Sequence, residues 1–141
     1  MVSADLKLSG LSVLLRSIMA KVESFEELDC WKSAKELTIQ IYSICNNEAF
    51  KYEYFAKDQL KRAALSSMNN IAEGFGRFSN KEFVRFLNIS TASLAEVHSM
   101  ILLYAELGFI SNENKLKAIE TLKKAKHQTL GFIKYLRTRL N

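Results

Sequence analysis

The 141-residue chain has no proline, only five glycines, two cysteines and two histidines. Each scarcity excludes something. A β-sandwich or an α/β domain of this length needs frequent turns, and turns draw on proline and glycine. Their near-absence points to long helices with few joints. Cys30 and Cys45 have no Cys or His partner at zinc-ligand spacing. Two such thiols suit a reducing cytoplasm, where cysteine behaves as a small hydrophobe. His98 and His127 lack a Ser, Cys or acid at the spacing of a triad or a metal site. Glu96 and His98 are two apart and face different sides of a helix, so the Glu-x-x-His pair of di-iron bundles is absent. No nucleophile, base and orienting group can be assembled from these residues. The expectation is a non-enzymatic protein without cofactor or metal. Uninterrupted apolar runs of about 18 residues are also missing, so no segment is expected to span a membrane.

What is present is a chain sized for one domain, 48% hydrophobic and able to bury a core. The net charge is +5 and the pI about 9.2, a moderately basic balance that favours a polyanionic partner. The charge is unevenly spread. Residues 23–50 hold Lys32 and Lys35 against six acids, and residues 111–141 hold eight Lys or Arg against Glu113 and Glu120. Either the acidic and basic faces pair, within a bundle or between subunits, or the basic face serves nucleic acid.

Hydrophobic spacing divides the chain. Residues 1–24 read as an extension outside the domain. Leu11, Leu14, Leu15, Ile18, Met19 and Val22 would share one face if it were helical, and Met19 is an alternative start of translation. The domain, residues 25–141, reads as four helices. In the first, over about 25–46, Cys30, Ala34, Leu37, Ile41 and Ile44 recur at 4-3-4-3, and the asparagines after Cys45 supply a left-handed stop. The second, over about 51–73, carries Ala56, Leu60, Ala64, Ser67 and Ile71. The third begins at Ser79, where "SNKEF" forms a capping box with Glu82. It runs through Phe83, Leu87, Ser90, Leu94, Val97, Ile101 and Tyr104 to a stop at Gly108. The fourth, from Ser111 or Asn112, carries Ala118, Leu122, Ala125, Thr129, Phe132 and Leu136. This phasing predicts an all-α, antiparallel up-down-up-down four-helix bundle. Phe86, Met100, Leu103, Leu130 and Leu140 lie beyond the core seams and suggest subunit contacts.

The stretch "MNNIAEGFGRFSNKEF" (68–83) looks chemical. Its Gly74-Phe75-Gly76 fails as a dinucleotide fingerprint, because a helix rather than a strand precedes it and the third glycine is missing. It reads as the end of the second helix, with Gly74 to Phe78 turning the chain. Arg62, Asn70, Glu73, Glu82 and Glu96 stand near the core seams, where a charged group needs a partner. They read as an ion-pair and capping network with Arg77, Gly74 and Ser79. Arg77, Lys81 and Arg85 alternatively line a phosphate-binding surface at a helix N-terminus. In the fourth helix Lys115, Lys117, Lys123, Lys124, Lys126, Lys134, Arg137 and Arg139 avoid the core phase. They read either as a solvated face or as a footprint for RNA or DNA. No aromatic ladder is interleaved with them, so binding there leans on phosphates.

The strings "FEELDCWKSAKEL" (25–37), "FAKDQLKRAALSSMNNIAEGFGRFSNKEFVRFLNISTASLAEV" (55–97) and "LGFI" (107–110) closely resemble the bacterial four-helix-bundle proteins encoded within intervening sequences of 23S ribosomal RNA. The resemblance covers roughly residues 25–137. Its specific part is Gln59, Arg62-Ala63-Ala64, Asn70 to Gly74, Arg77, Ser79, Glu82-Phe83, Phe86-Leu87, Ser93-Leu94 and Glu96. It implies a small antiparallel bundle that assembles as a homopentamer, with no assigned catalytic residues. Related accessory proteins of diversity-generating retroelements use a basic pentamer surface to bind nucleic acid and a reverse transcriptase. The expected function is therefore a cytoplasmic, homo-oligomeric nucleic-acid-binding protein, with RNA as the preferred ligand. The alternative is a structural or adaptor oligomer whose partner is a protein such as a reverse transcriptase.

Overall fold

The computed structural model describes residues 22–140. The amphipathic stretch from Leu11 and the alternative start at Met19 lie outside the described residues. Four helices account for most of the chain: α1 (Asp29–Cys45), α2 (Tyr54–Phe75), α3 (Asn80–Glu106) and α4 (Asn112–Arg137). Two 3-10 turns, Phe25–Glu27 and Glu48–Phe50, complete the described elements, and none of these is a strand.

The helices pack in a ring, α1 on α2, α2 on α3, α3 on α4 and α4 on α1. The core forms two layers. One takes Leu37, Ile41 and Ile44 of α1, Ala56 to Ala64 of α2, Leu94 to Tyr104 of α3 and Ala118 to Ala125 of α4. The other takes Cys30 and Ala34, Ile71, Phe83 to Leu87, and Ile133 with Leu136. Successive helices thus give opposite halves to each layer, as the helices of a four-helix bundle do. The heptad positions read from α1, α2 and α3 are all buried, and on α4 only Phe132 is partly open. Leu37, Ile41, Leu60, Leu87, Leu94 and Ile101 have no exposed surface at all. Burying side chains of this size contributes about 1.5–3 kcal/mol each.

Helix ends differ from the sequence expectation where local hydrogen bonding overrides periodicity. Helix α1 starts four residues late, because Ser24 caps a separate 3-10 turn and Leu28 is extended (φ −73°, ψ 126°). It stops without a left-handed residue: Asn46 sits at φ −85°, ψ −5°, and its N–H is bonded back to Ser43. Helix α2 continues through Gly74 and Phe75 instead of closing at Glu73. Only Gly108, at φ +84°, takes the left-handed conformation among the described residues. There the Gly108 N–H donates to Ala105 O (3.1 Å) and the Phe109 N–H to Tyr104 O (2.9 Å). These are the paired bonds of a Schellman stop. The stop turns Phe109 back onto Tyr104 and Phe50, whose rings close that end of the core at 5.5–6.1 Å.

The capping box is half formed. The Glu82 N–H donates to Ser79 Oγ at 3.0 Å, but the Glu82 carboxylate turns to Arg85 rather than back to Ser79. Phe86, expected at a subunit contact, is buried at 6% exposure, and Met100 packs against the core. Leu103, Leu130 and Leu140 do remain exposed. Helix α3 is long and apolar enough by composition to cross a membrane. Its apolar side, from Phe83 to Tyr104, packs into the bundle core.

Burial fixes the state of both thiols. Desolvation pushes Cys30 from the ordinary 9.0 up to about 12, and it raises Cys45 as well, against the pull of Lys61 and Lys57. For Cys30 that shift cuts the thiolate fraction roughly a thousandfold near neutral pH. Labelling by a water-soluble thiol reagent at pH 8 should therefore be slow in the native protein and fast in denaturant. The unfolded chain loses this proton first. The stability contributed by the neutral thiol is thus complete below pH 9 and declines as pH rises toward 12. The alkaline fall in Tm should be shallower for Cys30→Ala than for the wild type.

Candidate nucleic-acid interface

Two groups of residues carry the polar chemistry, and the bundle treats them differently. The first surrounds the α2–α3 junction. Gly74 is buried in the last turns of α2, where a Cβ would lie 2.7 Å from Phe86 Cβ and 2.8 Å from Phe83 Cδ2. The residue is glycine because α3 passes too close for any side chain, and no turn requires it. Gly76 follows with ordinary helical backbone and room for a methyl, its nearest neighbour being Glu73 O at 3.5 Å. The two glycines of Gly-Phe-Gly therefore have unrelated jobs.

Around that contact the charged side chains lie outside the core. Arg77 pairs with Glu73 at 3.0 Å and Arg85 with Glu82 at 3.1 Å, and both guanidiniums lie over the Phe86 ring, at 4.8 and 4.6 Å from its centre. The two arginines cover a buried aromatic while keeping about half of each side chain in water. Arg62, expected on the apolar side, is exposed and pairs with Asp58 at 2.8 Å, not with Glu73, Glu82 or Glu96. Asn70 donates to Ser66 O and Ser66 Oγ, and Ser66 in turn bonds Ser93 of α3 at 2.7 Å. Glu96 is exposed and has no ion-pair partner among the described residues.

The second group is the basic set of α4. All five ion pairs among the described residues are local, at i,i+3 or i,i+4, and none joins α1 to α4. The acidic and basic segments therefore do not pair within the chain. Neutral bonds join those helices: Ser33 Oγ donates to Gln128 Oε1, and Gln40 Nε2 to Thr121 Oγ1 at 2.9 Å. Lys117 and Lys124 line a groove of about 340 Å³ against α1, together with Glu36, Gln40, Glu120 and Thr121. Lys117 also pairs with Glu113 at 3.0 Å. These two lysines sit among carboxylates. The others do not. At 3.6 residues per turn, Lys123, Lys126, Lys134 and Arg137 fall within a sector of about 80° on the flank away from that groove, with Lys115 at its edge. None of these has a carboxylate partner among the described residues, and all but the half-buried Lys115 are exposed. Arg139 lies past the helix end, stacked on Tyr135 at 4.9 Å, and its carbonyl accepts from Asn80 at 3.3 Å. That bond brings the end of α4 beside the start of α3, where Lys81 stands.

With this geometry on the page, the comparison with known families is specific. The family model of the 23S rRNA-intervening sequence protein matches residues 26–130. The chain belongs to that family. No curated protein matches it. The match to the 23S rRNA-intervening sequence family reaches all four helices and stops within α4, whereas the strings that carried the resemblance end at Ile110, before α4.

One group escaped the sequence reading. At the opposite end from the α2–α3 turn, Tyr42, Tyr52, Tyr54 and Phe55 are 40–78% exposed, and a lysine ammonium lies over each tyrosine ring. The signal was there in "KYEYFAK" (51–57), whose aromatics do not follow the apolar seam of α2. Assigning that segment to the start of a helix hid it.

The separate roles of the two glycines are directly testable. Gly74→Ala should cost about 1–3 kcal/mol through overpacking against Phe83 and Phe86. Gly76→Ala should leave stability within about 0.5 kcal/mol. Urea denaturation of the two variants checks both.

Proposed function

We propose that this family member is a non-enzymatic, homo-oligomeric nucleic-acid-binding protein whose preferred ligand is RNA and whose assembly is a pentamer, as the family resemblance implies. It works in the cytoplasm. The observation that carries the reading is the flank of α4 on which Lys123, Lys126, Lys134 and Arg137 lie exposed, with no carboxylate to neutralise them among the described residues. Surface lysines that serve only solubility tend to be interspersed with acids, as Lys117 is with Glu113 and Glu120. A one-signed stripe along a rigid helix instead matches the spaced negative charges of a phosphate backbone. Repetition around an oligomer multiplies the stripe without any new contact. Exposed Leu102, Leu103 and Leu107 offer apolar surface for that assembly.

Binding of this kind is electrostatic. Its affinity falls steeply with salt, and its sequence preference is weak. In a filter-binding titration across a salt series, Lys123→Glu with Lys126→Glu and Lys134→Glu should abolish RNA binding at moderate salt. Single neutralisations should each lower the slope of log K against log salt by about 1. Reversal of Lys117 and Lys124, in the α1–α4 groove, should have a much smaller effect. Equal losses from the groove and the stripe, or no RNA binding by the wild type at low salt, would contradict the proposal. Light scattering on the same variants separates this reading from an adaptor oligomer held together by charge. Loss of the assembly on stripe reversal favours the adaptor.

A further inference from the structure

The aromatic corner where α1 meets α2 is not used by the α4 stripe. Large aromatics elsewhere in the bundle are mostly covered, yet here Tyr52 is 74% exposed, Tyr54 70% and Phe55 78%. Each tyrosine of the corner carries an ammonium over its ring. Lys51 Nζ lies 5.5 Å from the centre of Tyr52, Lys57 Nζ 4.9 Å from Tyr54, and Lys61 Nζ 4.8 Å from Tyr42. The last of these bridges the two helices. Tyr54, Lys57 and Lys61 follow one stripe of α2 at spacings of three and four, and Tyr42 continues it onto α1.

Two of the three local acids are paired, while Glu53, between Tyr52 and Tyr54, is exposed with no ion-pair partner among the described residues. Glu48 pairs with Lys51 at 3.6 Å and Asp58 with Arg62 at 2.8 Å. Neither Lys57 nor Lys61 has a carboxylate partner among the described residues, and Lys57 also donates to Lys51 O at 3.1 Å. Rings exposed at these levels, interleaved with unneutralised ammonium groups, do not suit the buried centre of a protein–protein contact, from which lysine is depleted. They do suit a chain of unpaired nucleotides, whose bases stack on aromatic faces while lysines meet the phosphates between them.

We infer that the α1–α2 corner, with Tyr42, Tyr52, Tyr54 and Phe55 interleaved with Lys57 and Lys61, is a stacking platform for single-stranded RNA, separate from the phosphate-binding stripe of α4. The inference rests on the nucleic-acid reading of this protein and adds a ligand class to it. Duplex RNA has no free base faces and engages the stripe alone. Unpaired segments engage both surfaces.

The test uses the full chain and two labelled probes, a short oligouridine and an RNA duplex, followed by fluorescence anisotropy. The variant Tyr52→Ala/Tyr54→Ala/Phe55→Ala removes exposed rings, so circular dichroism should match the wild type. Oligouridine affinity should fall at least about fivefold, the lower end of the loss for one stacked base, while duplex affinity stays within about twofold. With 5-iodouridine in the oligonucleotide, photocrosslinks should map to residues 51–55. Unchanged oligouridine affinity in the ring variant, or crosslinks confined to α4, overturns the platform but leaves the stripe standing. A change of oligomeric mass without a change in oligouridine affinity also overturns it and assigns the corner to a subunit contact. If stripe reversal leaves duplex and oligouridine binding intact, the nucleic-acid reading of α4 fails instead, and the ring variant still decides the platform on its own.

Discussion

The close approach of α2 to α3 is the constraint on which this bundle depends. Along their seam the residues are small: Ala63, Ala64, Ser67 and Gly74 face Ser90 and Ser93. The helices come near enough for Ser90 Oγ to donate directly to the backbone carbonyl of Ser67, at 2.6 Å. Ser66 meets Ser93 across the same seam. A hydroxyl buried without a partner would cost more than the bond itself contributes; Ser90 and Ser93 find their partners on α2, and Ser67 finds its acceptor in Ala64 O of its own helix. Gly74 extends the approach to the end of α2, where Phe86 and Phe83 fill the space a side chain would need.

From this seam the rest is placed. Phe83 reaches past Gly74 to Phe75 and Phe132, forming an edge-on aromatic series that ties α4 into the core layer of Cys30, Ile71 and Ile133. Phe86, held under Arg77 and Arg85, fixes those guanidiniums on one small area of the surface. Neither arginine is buried, and their ion pairs with Glu73 and Glu82 are of the exposed type that adds little stability. Their contribution is to shield Phe86 from water at the mouth of the α2–α3 turn. Arg77 belongs to a local pair with Glu73 and keeps about half of its side chain in solvent.

The basic set of α4 shows the same separation of roles. Spacing along the sequence put all eight cations off the core phase; seven of them are exposed, and Lys115, in line with buried Ile133, is half-buried. Spacing could not say which of them face a carboxylate on another helix, because that depends on which helix lies on which flank. Packing of α1 against one flank brings Glu36 into the groove that Lys117, Lys124 and their own helix's Glu120 line. The other flank keeps its charge. The lysine–tyrosine corner was harder still to read, since Lys61 and Tyr42 are brought together only by the α1–α2 contact.

The sequence alone determined the helices and their seams, because heptad spacing over four segments leaves few alternatives for burying that much apolar surface, and its specific strings carried the resemblance to the family. The capping serines Ser79 and Ser111 and the stop at Gly108 were equally legible, since their hydrogen bonds involve residues three or four positions away. Only the tertiary structure decided what Gly74 is for, that Phe86 is core rather than contact surface, and which lysines remain unneutralised. Each of these depends on a distance between helices, and a distance across the bundle leaves no periodic trace in a single chain.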